Sequence, residues 1–151
     1  MRKNGVNILV TGTPGVGKTT LCRRIIDDCK LKYLNIAELI KDKNLYSEWD
    51  DEMDCNIYDE DKLNNELQRM CLEEGGFLID FHSTEGIDED DIDHAVVLTT
   101  DIEILCGRLK KRGYNDKKID NNIEAEIFKV CLEDALDAYG EEKTLRRQKS
   151  T

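Results

Sequence analysis

Gly12-Thr-Pro-Gly-Val-Gly-Lys18-Thr19-Thr20 matches the pattern G-x-x-x-x-G-K-[ST] in full. Glycines at those positions let a loop turn successive backbone N–H groups inward, which makes a cradle for phosphate oxygens. Gly15, Val16, Gly17, Lys18, Thr19 and Thr20 are the residues expected to hold the polyphosphate of a nucleoside triphosphate. Lys18 can reach its β- and γ-phosphates, and the Thr19 hydroxyl can join a magnesium ion. A plain strand-to-helix turn has no chemical reason to end in Gly-Lys-Thr-Thr. Further along, Phe77-Leu-Ile-Asp80 ends an apolar run in an acid, followed by Phe81 and His82. Asp80 is a candidate second anchor for the metal, or alternatively a cap for the next turn. His82 is either a hydrogen-bonded structural group or a participant in the chemistry. Between residues 108 and 118 stand six basic residues and one acid. Arg108 and Arg112 are four apart, so they share a helical face just before Gly113. Planar guanidiniums there suit the charge that spreads over a transferring phosphoryl group. Lys110, Lys111, Lys117 and Lys118 read as a solvated helix end. Gly113 offers a hinge for a basic lid that would keep water from the phosphates.

These groups need elements to carry them. Val6 to Val10 reads as a buried strand, and Leu21, Cys22, Ile25, Ile26 and Cys29 fall on one face of the helix after the loop. A helical dipole then points its positive end at the same cradle. Residues 31–34 form a short second strand, and Asn35 opens a helix with Glu38 as its capping-box partner. A third helix is expected over about 59–73, ended by Gly75-Gly76. Strands follow at Phe77–Asp80 and at Ala95–Thr99. Thr100-Asp-Ile-Glu103 reads as a capping box for a helix with Ile102, Leu105 and Leu109 inward. A last long helix is expected from about Asn121 to Tyr139. Strands alternating with helices predict an α/β fold: a parallel sheet of about four to five strands covered on both faces, in one domain spanning 1–151.

A formal charge of −11 over 151 residues argues against general nucleic-acid binding, which needs a basic surface. Two acidic tracts, residues 47–61 and 85–93, lack the spacing of an EF-hand. They are solvated loops or a surface for a basic partner. No run of eighteen apolar residues suggests a membrane span, and the first residues lack a secretory apolar core. Six scattered cysteines without a C-x-x-C pair are expected as reduced thiols of an intracellular protein.

The order of motifs resembles the adenylate kinase isoenzyme 6 family, small nuclear or cytoplasmic P-loop enzymes linked to maturation of the small ribosomal subunit. The resemblance runs from about residue 5 to residue 140. It is carried by the phosphate loop, Leu-Lys-Tyr at 31–33, Asp54-Cys55 with Asp-Glu-Asp at 59–61, Glu-Gly-Gly at 74–76, and Ile-Asp-Phe-His at 79–82. Arg-Gly-Tyr-Asn-Asp-Lys-Lys at 112–118, Asp-Asn-Asn-Ile at 120–123 and Glu-Ile-Phe at 126–128 complete it. It implies a P-loop nucleotide kinase fold with a monophosphate-binding arm at about 35–58 and a short lid at about 111–121. The implied activity is transfer from Mg·ATP to AMP, giving two ADP, beside a weaker ATPase. Asp80 with His82 would form the magnesium-side motif, and Arg112 would be the lid residue with Arg108 as companion. Family members are described as binding a basic small-subunit ribosomal protein, and a monomer is expected. Lys41 stands where the family commonly has arginine facing the monophosphate; it keeps the charge but not the two-pronged fork. The segment 141–151 is a basic stub where the family continues through a fifth strand and a final helix.

Overall fold

The apolar runs do form the centre of a sheet. In the computed structural model, which describes residues 2–51 and 55–149, β1 (Ile8–Thr11) lies between β5 (Phe77–Asp80) and β6 (His94–Thr100). β2 (Lys32–Asn35) forms one edge and β7 (Thr144–Lys149) the other, giving the order β2-β5-β1-β6-β7 with every pairing parallel. Because side chains alternate along a strand, the sheet builds two cores. Leu9, Ile79, Ala95 and Val97 face one layer, and Val10, Leu78 and Leu98 face the other. The first layer is closed by Ile36 and Ile40 of α2 (Ile36–Lys43), Leu63 and Leu67 of α3 (Glu60–Arg69), and Ala135 of α6 (Val130–Lys143). The second is closed by Cys22 of α1 (Lys18–Cys29), Leu105 and Leu109 of α4 (Ile102–Lys111), and Ile119 of α5 (Asp116–Ile127). Register aligns Asp80 with Val10 on one side and Asn35 on the other. The carboxyl ends of three strands therefore open at one level, where parallel sheets hold their ligands.

Several boundaries differ from the sequence reading. Residues 47–61 are not one acidic loop: β3 (Tyr46–Asp50) and β4 (Cys55–Tyr58) pair as an antiparallel hairpin before α3. Its acids mask the pattern, yet Tyr46 and Tyr58 pack on the first core. Glu52, Met53 and Asp54, which belong to the expected arm and to the resemblance, lie outside the described residues. The third helix ends at Arg69, and a separate 3-10 turn covers Leu72–Glu74. The cap of α4 is Asp101, whose side chain accepts from the Glu103 N–H, one residue later than the capping box at Thr100 places it. The long last helix is two helices, because Lys129 adopts a left-handed conformation (φ 55°) between α5 and α6. The basic stub pairs with β6 as the fifth strand. Asn35 does cap α2, accepting from the Glu38 N–H at 3.2 Å. Among the described residues no helix is long and apolar enough to cross a membrane, and Cys22, Cys29, Cys71, Cys106 and Cys131 are free thiols.

Gly15 shows why the phosphate loop needs glycine. Its φ is +96°, and a Cβ there would stand 2.9 Å from Leu105 Cδ1 and 3.3 Å from Leu109 Cδ2. Gly15→Ala is expected to lower unfolding free energy by about 1–3 kcal/mol, since the strained backbone and the packed leucines both resist it. Urea titration checks this; an unchanged midpoint would contradict it.

Candidate functional site

The phosphate loop leads from β1 directly into α1. Gly17, in the left-handed region (φ 107°), caps that helix without a side-chain hydrogen bond, so no side chain competes for the N–H groups of the first turn. The Lys18 ammonium spans the loop, donating to the Gly12 carbonyl at 2.9 Å and the Thr13 carbonyl at 3.4 Å. Burial lowers its pKa to about 8, with Asp80 opposing the shift and Arg112 adding to it. Asp80 Oδ2 accepts from Thr19 Oγ1 at 2.7 Å and from the Tyr33 hydroxyl at 2.6 Å. Asn35 Nδ2 donates to that same tyrosine oxygen at 3.2 Å. Burial, and then the bond to Asp80, raises the Tyr33 phenol to about 12, so it stays a donor at neutral pH. A hydroxyl beside a carboxylate is a hard-oxygen pair, and that donor set fits magnesium.

His82 follows on the same strand end. Its ring centre lies 4.6 Å from that of Phe81 and 6.5 Å from that of Tyr58, both edge-to-face. The imidazole faces an open cavity and keeps accessible surface, but the walls of the cleft crowd it. Burial first, and the Lys18 charge second, hold its pKa down to about 4, against the pull of Asp80. It is therefore neutral at pH 7, able to donate one hydrogen bond and accept another but not to supply a charge.

The two arginines stand in different surroundings. Arg108 Nη1 donates to the Gly15 carbonyl at 2.9 Å, bracing the loop from outside. Arg112 ends α4 and lines a cavity of about 540 Å³ together with Gly15, Gly17, Lys18, Thr19, Thr20, Asp80 and His82. That volume suits a nucleotide-sized ligand. Across the cavity stand Asn35, Ala37 and Tyr58, and on the α5 side Tyr114, Lys118 and Asn122. Lys118 alone departs from the solvent-facing reading, for its ammonium sits 3.9 Å from the Tyr114 ring centre in the cavity wall. Lys41 does not line the cavity; it is exposed in the last turn of α2, four residues beyond Ala37. Val16, also in the motif, is fully buried and packs in the second core. A second recess of about 290 Å³ shares Pro14, Tyr58, His82 and Asn122 with the first and carries Glu85 and Asp134. Those carboxylates disfavour phosphate there, leaving the first cavity as the place for a polyphosphate.

Tyr33, Tyr114, Asn122 and the buried Glu126 stand within the motifs that carry the resemblance, but the sequence assigned none of them a role in the site. Only long-range register brings Tyr33 beside Asp80, and nothing local to either residue announces it.

The Lys18 pKa makes a binding prediction. Phosphate oxygens raise the pKa of a neighbouring ammonium, so the bound value exceeds the free value of about 8. Affinity for ATP is then full below pH 8 and declines as pH rises above it, with proton uptake on binding. Calorimetry at pH 8.5 in two buffers of different ionisation enthalpy measures that uptake; its absence would contradict the burial of Lys18.

A five-stranded parallel sheet, a phosphate loop on its central strand and an acid on the neighbouring strand define a P-loop kinase fold. A gluconokinase structure from Sinorhizobium meliloti has the same fold, with a TM-score of 0.55 and 16% identity, covering 98% of this chain and 84% of that one. A family model described as an AAA domain matches residues 8–129. The adenylate kinase isoenzyme 6 homolog of Dictyostelium discoideum is 42% identical over 142 residues, covering 94% of this chain and 81% of its own. That of Plasmodium falciparum (isolate 3D7) is 42% identical, covering 92% and 83%. The Saccharomyces cerevisiae (strain ATCC 204508 / S288c) homolog FAP7 is 40% identical, covering 91% and 70%. The chain belongs to the adenylate kinase isoenzyme 6 family and is an adenylate-kinase-like P-loop enzyme.

Proposed function

We propose that this chain transfers the γ-phosphoryl group of Mg·ATP to AMP, giving two ADP, with weaker ATP hydrolysis. The observation that carries the reading is the convergence of Lys18, Thr19, Asp80 and Arg112 on one nucleotide-sized cavity. An AMP phosphate oxygen forms a bond to Pγ while the bond from Pγ to the β–γ bridging oxygen breaks, and the first ADP leaves with that electron pair. The protein aligns the phosphates and meets the developing charge, with no covalent step of its own. Loop N–H groups and the α1 N-terminus hold the β-phosphate, Lys18 follows the β- and γ-phosphates, and Arg112 meets the equatorial oxygens in transfer. Thr19 and Asp80 would hold magnesium, which neutralises charge on the phosphates. Tyr33 keeps Asp80 oriented, and neutral His82 shares a hydrogen bond at the edge of the site. Ala37 lines the cavity and Lys41 lies one turn further on the same face of α2, which supports Lys41 as a cation for the monophosphate. In this reading residues 35–58 are the arm and 111–121 the lid, Gly113 its hinge. A nuclear and cytoplasmic location is expected from the resemblance. Mg·ATP offered with AMP, CMP, GMP or UMP tests acceptor choice. Fast ADP formation with AMP supports the reading, whereas preference for another monophosphate replaces AMP with that acceptor.

A second reading is an ATP-hydrolysing assembly factor in small-subunit maturation, acting on a basic ribosomal protein. Exposed Glu85, Asp88, Glu89 and Asp90 between β5 and β6 favour it, within a chain of net charge −11. Retention of basic ribosomal proteins on the immobilised chain at physiological salt, with and without ATP, tests it; retention of none would count against it.

A further inference from the structure

Glu126 is 8% exposed, and its partners are neutral donors. Oε1 accepts from the Thr13 hydroxyl at 2.9 Å, and Oε2 accepts from the Thr100 backbone N–H at 2.8 Å. Thr13, 1% exposed, belongs to the phosphate loop, and Thr100 ends β6, the strand beside β1. Both carboxylate oxygens act as acceptors, so each fixes the direction of its partner's hydrogen. The Thr13 carbonyl in turn accepts from the Lys18 ammonium at 3.4 Å, so whatever orients Thr13 is felt at Lys18.

The other end of the arrangement lies on the same helix. Lys118, Asn122 and Glu126 recur every four residues on α5 and so share one face, with Asn122 Nδ2 donating to the Lys118 carbonyl at 2.8 Å. Lys118 and Asn122 line the nucleotide cavity, and Glu126 grips the loop about 12 Å along the helix axis from Lys118 and about 6 Å from Asn122. Immediately beyond, Lys129 breaks the helix, so α5 is not continuous with α6. One rigid face therefore carries cavity groups at its start and the loop anchor at its end.

We propose that Glu126 is a positioning residue for phosphoryl transfer: it fixes the loop bearing Lys18 relative to the helix that supplies Lys118 and Asn122. The inference rests on the phosphoryl-transfer reading above. Its weight lies in alignment, so loss of Glu126 acts on kcat more than on ATP binding.

Steady-state kinetics of wild type, E126A, T13V and T13S with Mg·ATP and AMP test it, each rate normalised to folded protein measured by its thermal transition. E126A is expected to lower kcat by about 10²-fold, the scale of an ångström of misplacement. Its KM for ATP should stay within about threefold. T13V, which keeps the shape and removes the hydroxyl, should show a similar loss if E126A does not fold, and T13S should recover most of the rate. The double variant T13V/E126A should be no slower than either single one, because both remove the same link. A lowered Tm with wild-type kcat per folded molecule, or losses that multiply in the double variant, would overturn the inference. An inactive wild type would instead overturn the phosphoryl-transfer reading on which it rests.

Discussion

Lys18→Ala is expected to lower kcat for ADP formation by about 10²–10³-fold, the usual cost of removing one preorganised group from a developing charge. The protein should stay folded. Burial disfavours the Lys18 charge, holding its pKa at about 8 where the free side chain has 10.5, so the folded state carries a cost that alanine removes. The sign follows from linkage: between pH 8 and 10.5 the unfolded chain binds the extra proton, and wild-type stability rises with pH across that window. Lys18→Ala should lose this rise. The paired result, a much slower enzyme with an undiminished thermal transition at pH 7, separates chemistry from folding. Wild-type-like turnover in the folded variant would contradict the loop's role.

Arg112→Ala is expected to lower kcat by on the order of 10³-fold, as for an arginine that meets charge on a transferring phosphoryl group. Kd for ATP should change by less than about tenfold, because this group's strongest interaction arises in the transition state. The contrast with Arg108 supports the assignment. Arg108 spends a guanidinium N–H on the Gly15 carbonyl, whereas Arg112 lines the cavity just before Gly113 (φ 78°). Arg112→Lys should recover only part of the rate, since an ammonium keeps charge without the planar fork. Equal losses in kcat and ATP affinity would demote Arg112 to a binding group.

Much of the site was legible because its signals are local. The phosphate loop, the acid closing β5 and the arginines before Gly113 each sit within a few residues of the element that carries them. The second tier was not, because it is made across the sheet. Tyr33 meets Asp80 through a β2–β5 register, and Glu126 meets Thr13 across 113 positions. Lys118 looked like solvent-facing charge, but it lines the cavity with its ammonium over the Tyr114 ring. The α5–α6 break was invisible because Ile123, Ile127 and Val130 continue a helical spacing through a left-handed residue that is lysine, not glycine. The fifth strand was hidden for another reason. Thr144–Lys149 is an edge strand, with Leu145 60% exposed, so it carries no apolar run and is defined by its pairing with β6.

The most direct test of the central claim is chromatographic analysis of products from Mg·ATP with and without AMP. The account predicts rapid ADP formation only with AMP present, two ADP for each AMP consumed, and little free phosphate. ADP and phosphate released together at one slow rate, indifferent to AMP, would contradict phosphoryl transfer to AMP and leave an ATPase.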